Sequence, residues 1–170
     1  GSYHEQHPLR KGASKEELRS RLGMVPQVFA QALSKLLEDG SLAEEGTVVR
    51  LTDHIPRLSD DQRKDADAYV ERLQSSPYTP PTDSQLDADV MNLLADEGRV
   101  VRASESVAFA APAYQDMVQR TTAHIEEHGQ ITVADVRDLF GTSRKYALAL
   151  LEHMDHQRVT RRVEDARVLR

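Results

Sequence analysis

Two neighbouring cations near the C-terminal end of the chain have the residue types and the position that phosphate binding requires. Residues 141–143 (Gly-Thr-Ser) predict a turn in which Ser143 is the N-cap of a helix that begins at Arg144. The first turn of that helix contains Arg144, Lys145 and Tyr146. Positive charges there oppose the helix macrodipole at about 0.3–1 kcal/mol each. Their placement therefore indicates a site where these side chains and the backbone N–H groups receive an anion such as phosphate.

A second pair of cations, Arg161 and Arg162, lies on a predicted β-hairpin. Residues 159–163 and 166–169 read as two short strands around a turn at 164–165. A shorter helix is predicted over residues 133–140, before the one that begins at Arg144. The order helix, turn, helix and two-stranded wing is the winged-helix arrangement, and we expect Arg161 and Arg162 to hold a nucleic-acid backbone from the wing.

Composition and charge limit the classes of function. The chain of 170 residues is 39% hydrophobic and 29% charged, and it contains no cysteine, which excludes disulfides and thiolate metal sites and fits a cytoplasmic protein. A run of about 18 apolar residues and a signal peptide are both missing, so nothing indicates a membrane. The net charge is −6, but residues 141–170 hold seven Lys or Arg against four Asp or Glu. A polyanion should therefore bind at the C-terminal end.

The chain repeats one plan with a period near 55 residues. Each repeat ends in a helix, a polar turn and two short strands, so we expect a mainly α protein with small β wings. The predicted domains are three winged helices in a row, at residues 3–53 with a truncated N-terminal helix, 57–112 and 113–170. The third helix of the first domain, from Pro26, is expected to bury an apolar stripe that includes Val28 and Leu36.

The middle repeat is a reduced copy. A proline-rich stretch over residues 75–82 takes the place of a first short strand, and residues 83–86 leave room for only a one-turn helix. Its third helix begins near Asp87 and Asp89, acids that suit the dipole and would repel phosphate. We expect the two acidic repeats to act as a spacer that bends at joints near residues 55–56 and 111–112.

The C-terminal repeat resembles a known family. Residues 131–155 and 159–163, above all Arg-Lys-Tyr-Ala at 144–147 and Thr-Arg-Arg at 160–162, look like the last winged-helix domain of the bacterial selenocysteine-specific elongation factors, and the likeness extends over residues 3–170. The resemblance implies a fragment with three of that factor's four winged helices. Its last domain would hold the SECIS hairpin of selenoprotein mRNA during selenocysteine incorporation. Ribosome and selenocysteinyl-tRNA would be partners of the full-length factor only.

The phosphate-binding loop of the family's GTPase domain does not occur in this chain, so we expect a fragment that is not an enzyme and has no cofactor. We also expect a monomer. Physical reasoning assigns roles within the site. Arg144 and Lys145 should contact phosphates, and Ser143 lies beside them. Arg137 is either a surface charge or flanks the phosphate path. Tyr146 either stacks on an extruded base, at about 1–3 kcal/mol, or packs with Leu150.

Two other interpretations stay open, and one motif is misleading. A winged-helix DNA-binding regulator predicts a basic recognition helix in more than one repeat, and a protein-interaction scaffold makes the basic wing incidental. His124 and His128 match the H-x-x-E-H pattern of some zinc proteases. A pair of surface histidines at a helix end explains them better, because the sequence indicates no third ligand.

Overall fold

A computed structural model describes residues 2–83 and 86–170. The chain divides into two compact units, Gly1–Asp60 and Asp61–Arg170. The first unit corresponds to the predicted 3–53 domain with the linker that follows it. The second unit contains the predicted 57–112 domain from residue 61 onward and the predicted 113–170 domain, and the separation of these two domains stays a prediction.

In the first unit, the helices begin where capping and proline signals place them. Its elements are α1 (Ser2–Gln6), β1 (Ala13–Ser14), α2 (Lys15–Leu22), α3 (Pro26–Glu38), β2 (Leu42–Glu45) and β3 (Val48–Leu51). Ser14 accepts a hydrogen bond from the Glu17 N–H at 3.1 Å at the start of α2. Pro26 occupies the first turn of α3, where its missing N–H costs nothing. The antiparallel strands pair in the order β1-β3-β2.

The apolar stripe of α3 is covered less than its pattern predicts. Val28 is 48% exposed and Leu36 is 41% exposed, so the prediction that both are buried is wrong. The small core of this unit contains Leu9, Ala13 and Val49 instead. A unit of this size buries a smaller share of its surface than a larger domain does, because its ratio of surface to volume is high.

The first part of the second unit is the reduced repeat. It comprises α4 (Asp60–Ser75), α5 (Ala88–Asp96), β4 (Val100–Arg102) and β5 (Ala108–Ala110), with the two strands antiparallel. Asp87 is the N-cap of α5 and accepts a hydrogen bond from the Asp89 N–H at 2.8 Å, as its acidic start predicts. The one-turn helix predicted over 83–86 includes Ser84 and Gln85, which lie outside the described residues.

The second part of this unit has the helix-turn-helix and wing that the sequence predicts. Its elements are α6 (Ala111–His128), β6 (Ile131–Thr132), α7 (Val133–Phe140), α8 (Arg144–His156), β7 (Thr160–Val163) and β8 (Ala166–Leu169), with the sheet order β6-β8-β7. At the start of α7, the Thr132 hydroxyl accepts from the Asp135 N–H at 3.2 Å, and the Asp135 carboxylate accepts from the Thr132 N–H at 2.8 Å. This reciprocal capping box fixes the entry into α7. The prediction of a mainly α protein with small β wings is confirmed.

One hydrophobic core joins the two parts of the second unit. Phe109, on β5, is buried in the same cluster as Met117 on α6, Phe140 on α7 and Leu150 on α8. Strand β5 ends at Ala110 and α6 begins at Ala111, so strand and helix join without a linker. The shared core argues against the predicted bend near residues 111–112, because bending there would pull buried side chains out of it, and the bend stays a prediction without support.

The capping box generates a prediction about stability. Hydrogen bonds from the Thr132 hydroxyl and N–H hold the pKa of the Asp135 carboxyl below its ordinary value. Asp135→Ala should lower the free energy of unfolding by about 1–2 kcal/mol at pH 7. Because the folded pKa lies below the unfolded one, this difference should be complete above about pH 5 and shrink as the pH falls below about 4.

Urea denaturation of both proteins across this pH range checks the prediction. Asp138→Ala is the matched control, because Asp138 is an exposed carboxylate on the same helix. A difference that stays constant down to pH 2.5 would contradict the proposed origin of the stabilisation.

Candidate nucleic-acid interface

The first turn of α8 presents two cations at an open helix end. Gly141 adopts the left-handed conformation with φ 57° and reverses the chain after α7. Ser143 is the N-cap with φ −89° and ψ 163°, but no described N–H group donates to its hydroxyl as a cap. Arg144 and Lys145 are exposed, and neither side chain has an ion-pair or hydrogen-bond partner within residues 2–83 and 86–170. The N–H groups of this turn and two free cations are thus available to an anion.

Arg137 lies close to this turn through its backbone. Its carbonyl oxygen accepts hydrogen bonds from the Gly141 N–H and from the Thr142 N–H, the latter at 3.0 Å. The Arg137 side chain is exposed. The fold therefore brings the backbone of Arg137 to the same turn as Ser143, Arg144 and Lys145, and a role of its side chain in a phosphate path stays a prediction.

The wing separates the second pair of cations. Arg161 lies opposite Val168 and Arg162 opposite Arg167 in the register of β7 and β8. Successive strand residues point to opposite faces, so Arg161 and Arg162 lie on different faces of the wing, and their expected contact with a nucleic-acid backbone stays a prediction. Arg161 is the wing residue that projects on the face opposite to Arg167.

Arg162 is partly engaged at the tip of the hairpin. Its Nε donates to the Glu164 carbonyl oxygen at 2.9 Å, and its Nη2 lies 4.0 Å from Asp165 Oδ1. The Arg162 side chain remains 64% exposed and that of Asp165 fully exposed, so this ion pair is weak and screened. Arg162 can exchange it for an external phosphate.

Tyr146 is held by the protein itself. Its hydroxyl donates to the Pro80 carbonyl oxygen at 2.9 Å, and its half-buried ring packs against the core cluster that includes Leu150. One residue before the N-cap, the buried Thr142 hydroxyl donates to the Tyr78 carbonyl oxygen at 2.5 Å. Of the two roles considered for Tyr146, the geometry favours packing; stacking on a base stays a prediction. Sequence reasoning missed Thr142 and residues 78–80, whose only signal was the run of prolines.

A buried ion pair fixes the root of the wing. Arg167 is only 4% exposed, and its Nε donates to Asp155 Oδ2 at 3.1 Å near the end of α8. The other oxygen of Asp155 accepts from the Thr160 hydroxyl at 2.6 Å. Both strands of the wing are therefore tied to α8 through one carboxylate. Sequence reasoning missed this group as well, because the pairing of Asp155 with Arg167 depends on the strand register.

The other motifs offer no competing chemistry. The His124 and His128 rings stack at 4.2 Å, and His128 Nδ1 lies 3.0 Å from the His124 carbonyl oxygen. Over the described part of the chain, no three His, Cys, Asp or Glu side chains are grouped to hold a metal ion. The helices within that part are too short or too polar to cross a membrane.

The ion pair at the wing root generates the next prediction. Asp155→Ala should lower the free energy of unfolding of the second unit by about 1–3 kcal/mol, because it leaves the buried Arg167 guanidinium without its partner. Thermal unfolding followed by circular dichroism measures the effect. Asp165→Ala, at the exposed hairpin tip, is the control and should leave the transition unchanged. Equal melting temperatures for the two variants would show that Asp155 does not hold the wing.

Comparison with protein families matches both ends of the chain. Residues 1–51 match a model of the second winged helix and residues 123–169 a model of the third, both described as elongation factor SelB, winged helix. Together the two matches cover more than half of the chain.

Curated relatives match over nearly the whole chain. A selenocysteine-specific elongation factor of Desulfomicrobium baculatum is 28% identical over 187 residues and covers 100% of this chain. That of Escherichia coli (strain K12) is 25% identical over 178 residues and covers 99%. The chain spans 29% of the length of each of these relatives.

Solved structures share the fold. The mRNA-binding domain of elongation factor SelB from E. coli, in complex with SECIS RNA, has a TM-score of 0.51 and 21% identity, and the match covers 66% of this chain and 99% of that one. A bacterial selenocysteine-specific elongation factor, EF-Sec, has a TM-score of 0.55 and 17% identity, with 94% of this chain and 26% of that one covered.

Proposed function

The chain belongs to the winged-helix region of the bacterial selenocysteine-specific elongation factors, and from this premise we propose that its C-terminal winged helix binds an mRNA hairpin of the SECIS type. The observation that carries the proposal is the first turn of α8, where exposed Arg144 and Lys145 stand beside free N–H groups without a protein anion. Such a turn is unfavourable in isolation and becomes favourable when phosphates occupy it.

The distribution of charge supports a polyanion that approaches from one end only. Residues 141–170 carry an excess of three positive charges in a chain whose net charge is −6. The acidic remainder of the chain repels nucleic acid, so non-specific binding along other surfaces is suppressed. A hairpin then meets the protein at the C-terminal winged helix.

The family and the geometry both favour RNA over DNA as the ligand. The related E. coli mRNA-binding domain was solved in complex with SECIS RNA. The deep, narrow major groove of an RNA stem excludes a helix, so a small domain reads loop bases and the path of the backbone. A cationic turn and a separate cationic wing suit that mode, because each can contact a different stretch of backbone.

Within this proposal each site residue has a defined task. Arg144 and Lys145 bind phosphates at the end of α8, and the uncommitted Ser143 hydroxyl can donate to the same groups. Arg137 extends the path along α7. Arg161 contacts the RNA backbone from one face of the wing. Arg162 contacts it once its side chain gives up the hydrogen bond to the Glu164 carbonyl oxygen at the hairpin tip.

The wider role follows from the relatives, of whose length this chain spans 29%. We assign to the chain the messenger-binding part of selenocysteine incorporation, as a monomer in the cytoplasm without a cofactor of its own. GTP hydrolysis and contacts with selenocysteinyl-tRNA and the ribosome belong to the full-length factor. The match covers a winged-helix region, which binds rather than catalyses.

Binding to a pool of RNA hairpins, with a common stem and a randomised loop, tests the function. We expect enrichment of particular loops and an affinity that falls steeply with salt. Arg144→Ala should weaken binding of the enriched hairpin about 5- to 10-fold and reduce the slope of log affinity against log salt by about 0.7–0.9, because one phosphate contact is lost. Arg63→Ala, an exposed arginine on α4, is the control and should change neither quantity.

Two results would overturn the proposal. Equal affinity for a DNA duplex and for the enriched hairpin would favour a DNA-binding regulator. Failure of the chain to retain any hairpin at low salt would favour a scaffold for other proteins.

A further inference from the structure

A proline-rich segment of the reduced repeat lies against the start of α8. We call residues 77–81 (Pro-Tyr-Thr-Pro-Pro) the proline strap. Its Tyr78 and Pro80 carbonyl oxygens accept the hydroxyl hydrogen bonds of Thr142 at 2.5 Å and of Tyr146 at 2.9 Å. These two donors bracket Arg144 and Lys145 in the sequence. The strap therefore touches the cationic turn just before and just after its charges.

The backbone of the proline strap is suited to accepting hydrogen bonds from residues at the start of α8. Residues 76–79 form a turn closed by a hydrogen bond from the Thr79 N–H to the Ser76 carbonyl oxygen at 3.3 Å, and Thr79 and Pro80, each followed by a proline, then favour an extended backbone. No described backbone N–H group donates to the Tyr78 or Pro80 carbonyl oxygen, which leaves both free to accept hydrogen bonds from a neighbour. Pro80 is buried, so leaving its carbonyl oxygen without a hydrogen-bond donor would cost free energy.

The strap is itself fastened to the helices that precede α8. The Tyr78 hydroxyl donates to Asp116 Oδ2 at 2.7 Å and accepts from Arg120 Nη1 at 3.1 Å. This hydrogen bond to Asp116 raises the pKa of Tyr78. Arg120 Nη2 also donates to the Leu139 carbonyl oxygen at 2.8 Å.

Arg120 also contacts the end of α7, on the other side of the turn that carries Ser143. Its guanidinium lies 4.6 Å from the centroid of the Phe140 ring, at the last residue of α7. The Tyr78 ring lies 5.1 Å from the same Phe140 ring. The end of α7 is thus held by Arg120 and the start of α8 by the strap, and the turn that carries Ser143 lies between them.

We propose that the proline strap is a positioning element of the RNA site, and that Thr142 and Tyr146 are positioning residues that hold Arg144 and Lys145 in the geometry that receives phosphates. This inference rests on the proposed function. The preceding repeat would then take part in messenger binding, although its acidic charge alone would suggest that it does not. Tyr146 then serves through its hydroxyl, whereas stacking on a base would use only its ring.

Tyr146→Phe separates these two uses of Tyr146. The variant keeps the ring, so stacking predicts unchanged affinity for the enriched hairpin. Loss of the hydrogen bond to Pro80 frees the first turn of α8, so the strap predicts an affinity about 3- to 10-fold lower. The salt slope should stay at the wild-type value, because every phosphate-binding side chain is retained.

Thr142 provides a matched pair of variants. Thr142→Val keeps the shape and removes the hydroxyl, and it should weaken hairpin binding by a similar factor. Thr142→Ser restores the donor and should restore the affinity. All measurements are made well below the melting temperature of each variant, so that a purely structural role of Thr142 would leave the affinity unchanged.

Hydrogen exchange without RNA tests positioning independently of binding. The hydrogen-bonded amides of Thr142 and Ala147, which flank the free N–H groups of the turn, should exchange faster in Thr142→Val and Tyr146→Phe than in the wild type, while those of Leu150 and Leu151 stay protected. Unchanged exchange at the amides of residues 142 and 147 would overturn the proposal.

The outcomes also separate this inference from the proposed function. If Arg144→Ala weakens hairpin binding while Thr142→Val and Tyr146→Phe bind as the wild type does, the strap proposal is wrong and the proposed function stands. If the wild type binds no hairpin, the proposed function is wrong and the strap loses its role in RNA binding with it.

Discussion

The site depends on the hydrophobic anchoring of α8, which holds an electrostatically unfavourable helix end in place. Leu150, Leu151 and Met154 are completely buried in the core of the second unit. Burial of each such side chain contributes about 1.5–3 kcal/mol. The two cations of the first turn cost about 0.3–1 kcal/mol each at the surface. The core therefore outweighs the charges, and the helix can keep Arg144 and Lys145 where a ligand rather than the fold makes use of them.

The equivalent helices of the other repeats begin with different chemistry. Helix α3 begins at Pro26 after an N-cap, Val25, that offers no side-chain acceptor. Helix α5 begins after Asp87, whose carboxylate accepts from a first-turn N–H group. An acid in that place already occupies the position of an incoming phosphate and repels a second anion. The helices α3, α5 and α8 occupy equivalent places in the three repeats, but only the start of α8 has the charge that suits a nucleic acid. This is possible because the residues at a helix end can differ while the buried face of the helix stays apolar.

The sequence predicts what local chemistry determines. The start of α8, the capping box of Thr132 and Asp135 and the strands of the wing all depend on residues within a few positions of each other, and the structure has them. The contacts of Thr142 and Tyr146 with the proline strap join residues more than 60 positions apart, and no periodicity reveals such pairs. The buried partner of Asp155 depends on how β8 is placed against α8, which hydrophobic pattern alone does not fix here. The opposite faces of Arg161 and Arg162, by contrast, follow from their adjacency on one predicted strand.

These long-range contacts change what counts as the binding unit. A winged helix of residues 113–170 alone would lose Phe109 from its core and the strap carbonyls that hold Thr142 and Tyr146. The direct passage from β5 into α6 leaves no linker through which the reduced repeat could move away. Under the strap proposal, a repeat that repels RNA by its charge still contributes to RNA affinity, because it acts through neutral carbonyl oxygens at the edge of the proposed site. In that proposed interface, charge decides where the polyanion binds, and packing decides how well the charges are presented to it.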